Sequence, residues 1–131
     1  MVQKLIEAAG KARAGAYAPY SHFKVGAALI TPDGQIFSGA NVENASYGLT
    51  MCAERVAIFQ AVAARCRDIA AIAVVTDREE PAPPCGACLQ VLAEFGPDTK
   101  VVIANLRGKC LETTVRALLP RAFEKRMMDR E

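Results

Sequence analysis

The fold turns on the run Ile69-Ala70-Ala71-Ile72-Ala73-Val74-Val75-Thr76. It is nearly continuous in apolar residues, the pattern of a strand covered on both faces. Before it, the stretch from Cys52-Ala53-Glu54-Arg55-Val56-Ala57-Ile58 to about residue 64 is rich in helix formers and lacks Gly and Pro. After it, Pro81, Pro83 and Pro84 exclude a regular element until Cys85. A helix is predicted over Gly86–Phe95 and a strand over 100–104. Such alternation of strands and helices predicts an α/β sandwich, a sheet between helical layers, with the later strands pairing in parallel.

Outward from this centre, the N-terminal part supplies a helix and a hairpin. Leu5, Ile6, Ala9 and Ala12 recur at helical spacing over about 2–16. Tyr17-Ala18-Pro19-Tyr20-Ser21 reads as a loop, and Phe23, Val25, Ala27 and Leu29 alternate as in a strand. Pro32-Asp33-Gly34 is a turn signal, with a returning strand over 35–40, so the sheet is expected to be mixed. Toward the C-terminus, Leu106-Arg107-Gly108 marks a turn into a short strand near 110–112. Thr114 can cap a short final helix ending before Pro120.

The chain has 131 residues, a size that suits one domain spanning 1–131. An apolar fraction of 52% argues for a packed core rather than disorder. Mean hydropathy is only +0.14, and no window nears the ~18 apolar residues of a membrane span. The N-terminus reads as an amphipathic helix, not a signal peptide, so a cytoplasmic location is expected. A net charge of +2, with scattered Lys and Arg, excludes the concentrated basic stripe of a nucleic-acid-binding surface. Five cysteines, an odd number, argue against a disulfide framework and for metal binding or catalysis.

The constellation that carries chemistry is Cys52-Ala53-Glu54 with Pro84-Cys85-Gly86-Ala87-Cys88. Three positions separate Cys85 from Cys88, about 300° around a helix, so their sulfurs can converge. Cys52 offers a third thiolate from the start of another helix. Three protein ligands leave one tetrahedral corner of a zinc ion open, the pattern of a catalytic site. Both cysteine groups fall at expected helix starts, where backbone N–H groups and the helix dipole favour thiolate. Three thiolates around a divalent cation leave roughly one excess negative charge. Arg55 is placed in sequence to offset part of it by donating hydrogen bonds to a thiolate. Glu54, two residues past Cys52, would diverge from it by about 200° in a regular helix. The two can face one pocket only if Cys52 sits at the very terminus. A carboxyl group beside such a cluster should have a raised pKa, which suits proton shuttling.

Cys-Ala-Glu followed by Pro-Cys-Gly-Ala-Cys resembles the signature of the zinc deaminases, in the all-cysteine form of the small homotetrameric cytidine deaminases. Four further stretches look like that family: Ala16-Tyr17-Ala18-Pro19-Tyr20-Ser21, Phe23-Lys24-Val25-Gly26-Ala27-Ala28-Leu29, Asn41-Val42-Glu43-Asn44-Ala45 and Leu118-Leu119-Pro120. The resemblance implies a three-layer α/β/α sandwich with a mixed, roughly five-stranded sheet. It implies Zn2+ on Cys52, Cys85 and Cys88, and hydrolysis of cytidine and deoxycytidine to uridine and deoxyuridine with loss of ammonia, as in pyrimidine salvage. Water activated by the metal would attack C4 of cytosine, and Glu54 would protonate N3. Asn41 and Glu43 match residues that hold the ribose hydroxyls, and an amide with a carboxylate is chemically suited to a diol. Phe23 matches an aromatic against the pyrimidine, and the N–H of Ala53 a donor to the base carbonyl. Tyr47 and Phe123 resemble positions that complete a neighbour's pocket in a homotetramer. Leu89 stands where this family usually has Arg, which leaves Arg55 more of the charge to compensate. Cys66, Cys110 and the single histidine, His22, match no ligand position; the two cysteines are expected to be small buried or half-buried residues.

Two other readings remain open from sequence. One is a zinc-stabilised binding module, which needs a fourth protein ligand and leaves Glu54 without a task. The other is a deaminase acting on RNA, DNA or another cytosine-bearing compound such as a nucleoside antibiotic. Asn41 and Glu43 favour a free nucleoside, because they would grip hydroxyls that a polymer backbone occupies.

Overall fold

The computed structural model describes residues 1–128. Helix α1 (Val2–Arg13) leads into the hairpin β1 (Gly26–Ile30) and β2 (Ile36–Ala40). Helix α2 (Ala53–Ala63), β3 (Ala71–Thr76), α3 (Gly86–Phe95), β4 (Lys100–Asn105), β5 (Cys110–Thr114) and the short α4 (Val115–Leu118) follow. Single 3-10 turns lie at Tyr47–Leu49 and Lys125–Met128. The sheet is mixed and five-stranded, in the order β2-β1-β3-β4-β5. No described helix is long and apolar enough to cross a membrane.

Residue alternation assigns the two faces of the sheet. Ala27, Leu29, Ile72, Val101 and Ile103 pack with Ala57, Ile58 and Ala61 of α2 and Leu92 of α3. Ala28, Ala71, Ala73, Val75, Val102 and Ala104 pack with Leu5 and Ala9 of α1. The three central strands are thus apolar on both sides, as the run 69–76 requires. The α1 face is built largely from alanine, which lets that helix ride close to the sheet. A Cβ on Gly26 would lie 2.0 Å from the Ala9 carbonyl oxygen and 2.7 Å from the Arg13 nitrogen, so no larger residue fits beneath α1. Arg13 Nε also donates to the Lys24 carbonyl at 3.1 Å. The end of α1 therefore fixes the segment that enters β1.

Several boundaries differ from the sequence expectation. The alternation Phe23–Val25–Ala27–Leu29 does not begin a strand at Phe23, because β1 starts at Gly26. The cause is Asn41, whose side chain accepts from Val25 N–H at 2.9 Å and donates to the Phe23 carbonyl at 2.8 Å. Those backbone groups are taken by a side chain before a ladder can use them. Helix α1 stops at Arg13 rather than near residue 16, since Tyr17 pairs with Asn41 and Glu43 instead: Tyr17 N–H donates to Asn41 O at 2.9 Å and Glu43 N–H to Tyr17 O at 2.8 Å. Among the five strands of the sheet only β3 and β4 pair in parallel; β5 turns back antiparallel through the Leu106-Arg107-Gly108 turn and runs on to Thr114. Thr114 Oγ1 accepts from Ala117 N–H at 3.1 Å, the cap expected of it. Cys66 is half-buried as expected, but Cys110 on the edge strand is exposed.

The close approach of α1 gives a paired prediction. Gly26→Ala should destabilise the protein by at least about 2 kcal/mol, because the clashing atoms are backbone and cannot rotate away. Gly10→Ala, in the same helix with nothing within 4 Å of the added methyl, should stabilise it by about 0.5–1 kcal/mol. Chemical denaturation midpoints check both, and equal effects would contradict the proposed packing of α1.

Candidate active site

Two helix starts build the centre of the site. Cys52 is the N-cap of α2 and Cys85 the N-cap of α3, each with extended backbone (φ −75°, ψ 151° and φ −70°, ψ 167°) and neither sulfur capping its own helix. The condition for Cys52 and Glu54 to share a pocket is met: Cys52 stands at the terminus, before the helical twist separates them. Cys88, one turn into α3, completes the group. The three sulfurs lie within 4.8 Å of one another, with Cys52–Cys85 at 3.8 Å and Cys85–Cys88 at 3.5 Å. Sulfurs at two corners of a tetrahedron around a metal about 2.3 Å away would be roughly 3.8 Å apart. The spacing fits a zinc ion. Among the described residues no other group of three metal-ligating side chains forms.

The electrostatics point the same way. Cys52 is pulled down to about 5, mainly by the neighbouring Cys88 thiol, then by the Arg55 guanidinium and Cys85. Cys88 is pushed up by the same contact with Cys52, by burial, and by the charges of Glu54 and Cys52. One thiolate thus forms readily while its neighbour keeps a proton. A divalent cation is the group that lets all three exist as thiolates side by side. Arg55 Nη2 donates to Cys52 Sγ at 3.4 Å, which sets a cation against the sulfur cluster. Among the described residues its Nε is buried without a hydrogen-bond partner. Leu89 is buried and brings no charge.

Glu54 is 4% exposed and is pushed up to about 7, first by burial and then by the charge on Cys52. It opens onto a cavity of about 200 Å³ lined by Phe23, Asn41, Cys52, Ala53, Glu54 and Cys85 together with apolar walls. Ala53 is the first residue of α2, so its N–H has no acceptor inside the helix. Phe23 is 38% exposed and lines this cavity, so it is a wall of the site and not a core residue.

Other expected residues fall around this centre. Glu43 is buried beside the cavity without lining it. Its carboxylate is held below its ordinary value, chiefly by the Ser21 hydroxyl and further by the N–H groups of Ser21 and Tyr20. Tyr47 and Phe123 stand outside, 64% and 58% exposed. Phe123 is fixed at a distance from the cavity by Gln90 on α3, which donates to its carbonyl at 2.7 Å and accepts from its N–H at 3.1 Å. Sequence reasoning missed Val25, Thr50, Met51, Val74, Thr76, Ala82 and Pro83 in the lining. Val74 and Thr76 could have been found, since ligands bind beyond the carboxyl ends of strands in such sheets. In the proline run 81–84, which in sequence only excludes a regular element, Ala82 and Pro83 form part of the wall.

Comparisons with known proteins agree with this geometry. The family described as the cytidine and deoxycytidylate deaminase zinc-binding region matches residues 1–105. The chain belongs to that family, a class of zinc-dependent hydrolases. It is 60% identical over 122 residues to the cytidine deaminase of Halalkalibacterium halodurans, covering 92% of each chain. To the cytidine deaminase of Sporosarcina psychrophila it is 54% identical over 125 residues, covering 95% of this chain and 92% of that one. The 1.6 Å crystal structure of cytidine deaminase from Burkholderia pseudomallei superposes with a TM-score of 0.91 at 56% identity, covering 94% of this chain and 99% of that one.

The position of Arg55 generates a test separate from turnover. Arg55→Leu should weaken zinc binding by about tenfold or more, as loss of groups bonded to metal ligands commonly does. Arg55→Lys should fall between. Competition with a coloured chelator reads the affinity, and an unchanged value in Arg55→Leu would rule out charge compensation by this residue.

Proposed function

We propose that the chain hydrolyses the 4-amino group of cytidine and deoxycytidine, giving uridine or deoxyuridine and ammonia. The observation that carries this reading is the buried Glu54 carboxyl, opening onto the same small cavity as Cys52 and Cys85. Cys52, Cys85 and Cys88 would hold the zinc ion, which supplies the Lewis acidity that makes water a competent nucleophile near neutral pH. Glu54 takes a proton from the attacking water and delivers it to N3 of the ring, then assists the departing amine. Burial raises the proton affinity of this carboxyl group, which suits it to hold and pass on a proton in both halves of that task.

The walls account for the substrate. The ring of Phe23 packs against the pyrimidine, and the free N–H of Ala53 donates to the base carbonyl. Asn41 and Glu43 hold the ribose hydroxyls. Asn41 retains one N–H and one lone pair after its two bonds to the backbone, enough for a hydroxyl. A cavity of about 200 Å³ suits one base. Asn41 and Glu43 would grip hydroxyls that a polymer backbone occupies, which favours free nucleosides over nucleic acid, in keeping with the mild charge. In a cell the reaction serves pyrimidine salvage, and the chain works as one cytoplasmic domain.

Glu54→Gln should lose at least about 10²-fold in ammonia release from cytidine while keeping one zinc per chain. Equal, negligible rates in variant and wild type, with zinc intact, would sink the proton-shuttle role and favour the zinc-stabilised binding module.

We also propose a homotetramer in which Tyr47 and Phe123 complete a neighbour's pocket. Both are large and exposed and neither lines its own cavity, which is what a shared site needs. Truncation before Phe123 should lower activity and loosen the oligomer, as read by light scattering alongside the cytidine assay. A fully active monomer would refute the shared site.

A further inference from the structure

Phe23 poses a packing problem. Its side chain is more than one-third exposed and lies before the strand begins, so neither core burial nor a β-ladder fixes it. Its two backbone polar groups are instead taken by side chains. The Phe23 carbonyl accepts from Asn41 Nδ2 at 2.8 Å, and its N–H donates to Ser21 Oγ at 3.0 Å. Between them, His22 adopts a left-handed conformation (φ 59°), the turn that brings the Phe23 N–H back onto the Ser21 hydroxyl.

The Ser21 hydroxyl has a second partner, since its O–H donates to Glu43 Oε2. Glu43 Oε1 accepts from Tyr20 N–H at 3.0 Å and Ser21 N–H at 3.1 Å. A carboxylate offers about four lone-pair sites. Three are committed to the 20–21 turn, which leaves one for a substrate hydroxyl.

We propose that Ser21 is a positioning residue that couples the ribose-binding carboxylate of Glu43 to the backbone of Phe23. This rests on the reading that Glu43 holds a ribose hydroxyl and Phe23 packs on the base. A sugar hydroxyl bound to Glu43 and an aromatic ring set over the pyrimidine then share one serine oxygen. Sugar and base are gripped as one unit rather than at two independent points. Ser21 touches neither the scissile C–N bond nor the metal ligands, so its effect falls on binding, made alike in ground and transition states.

The test uses zinc-loaded enzyme and steady-state cytidine kinetics, with melting temperature and zinc content as controls. Ser21→Ala should raise KM roughly three- to tenfold, the effect of losing about one net hydrogen bond, with kcat within about twofold. Ser21→Thr keeps the hydroxyl and should restore KM to within about twofold of wild type. In a Glu43→Gln background the further effect of Ser21→Ala should shrink below about twofold, because the shared link is already weakened. A wild-type KM in Ser21→Ala, a fall in kcat alone, or full additivity with Glu43→Gln would each overturn the coupling. Failure of the underlying reading looks different: wild-type enzyme that does not turn over cytidine, or a Glu43→Gln variant with unchanged KM.

Discussion

The structure depends on the meeting of three sulfur atoms at the starts of two helices. Cys52 and Cys85 hold the half-extended backbone of N-cap residues, and that geometry alone lets them face each other across 3.8 Å. A cysteine one position further into α2 would have been carried round with the helix. The sheet sets the meeting point. α2 and α3 pack on one face of it, and the crossover from β3 through α3 to the parallel β4 brings the Pro-rich segment over the carboxyl end of β3. Val74 and Thr76 at that strand end, and Pro83 above it, are walls of the cavity for this reason.

Around the sulfurs, charge is arranged to keep a carboxyl group in a dry place. Glu54 is nearly closed to solvent beside a cluster that favours negative charge, which raises its affinity for a proton. Arg55, on the next position of the helix, turns to Cys52 and draws off part of that field. Adjacent residues on one helix therefore have opposed duties. One needs a site hostile to anions, and the other keeps the anions of that site tolerable.

The fold was legible where one residue period or one turn chemistry ruled. The apolar run at 69–76, the Pro32-Asp33-Gly34 turn, the Thr114 cap and the cysteine spacing all mean in the structure what they meant in sequence. Reading failed where a side chain displaced a backbone partner. Phe23 and Val25 alternate like strand residues, but Asn41, distant in sequence, takes their polar groups, and no local pattern reveals that. The turn and strand of β5 were legible, but the expected parallel pairing was not met there, because a short turn at 106–108 leaves no room for the crossover a parallel pair needs. The metal cluster could be found from spacing. The surrounding wall could not, being made of ordinary residues that matter only through where the sheet ends.

Cys52 and Cys85 are separated by 33 positions, with β3 between them. An ion bridging them closes a long loop and acts on the chain as a covalent cross-link would, at a point reached only when both helices lie on the same side of the sheet. A chain with α2 or α3 misdocked presents two sulfurs or one. Uptake of the metal thus doubles as an inspection of the finished fold: the protein cannot be armed before it is correctly assembled.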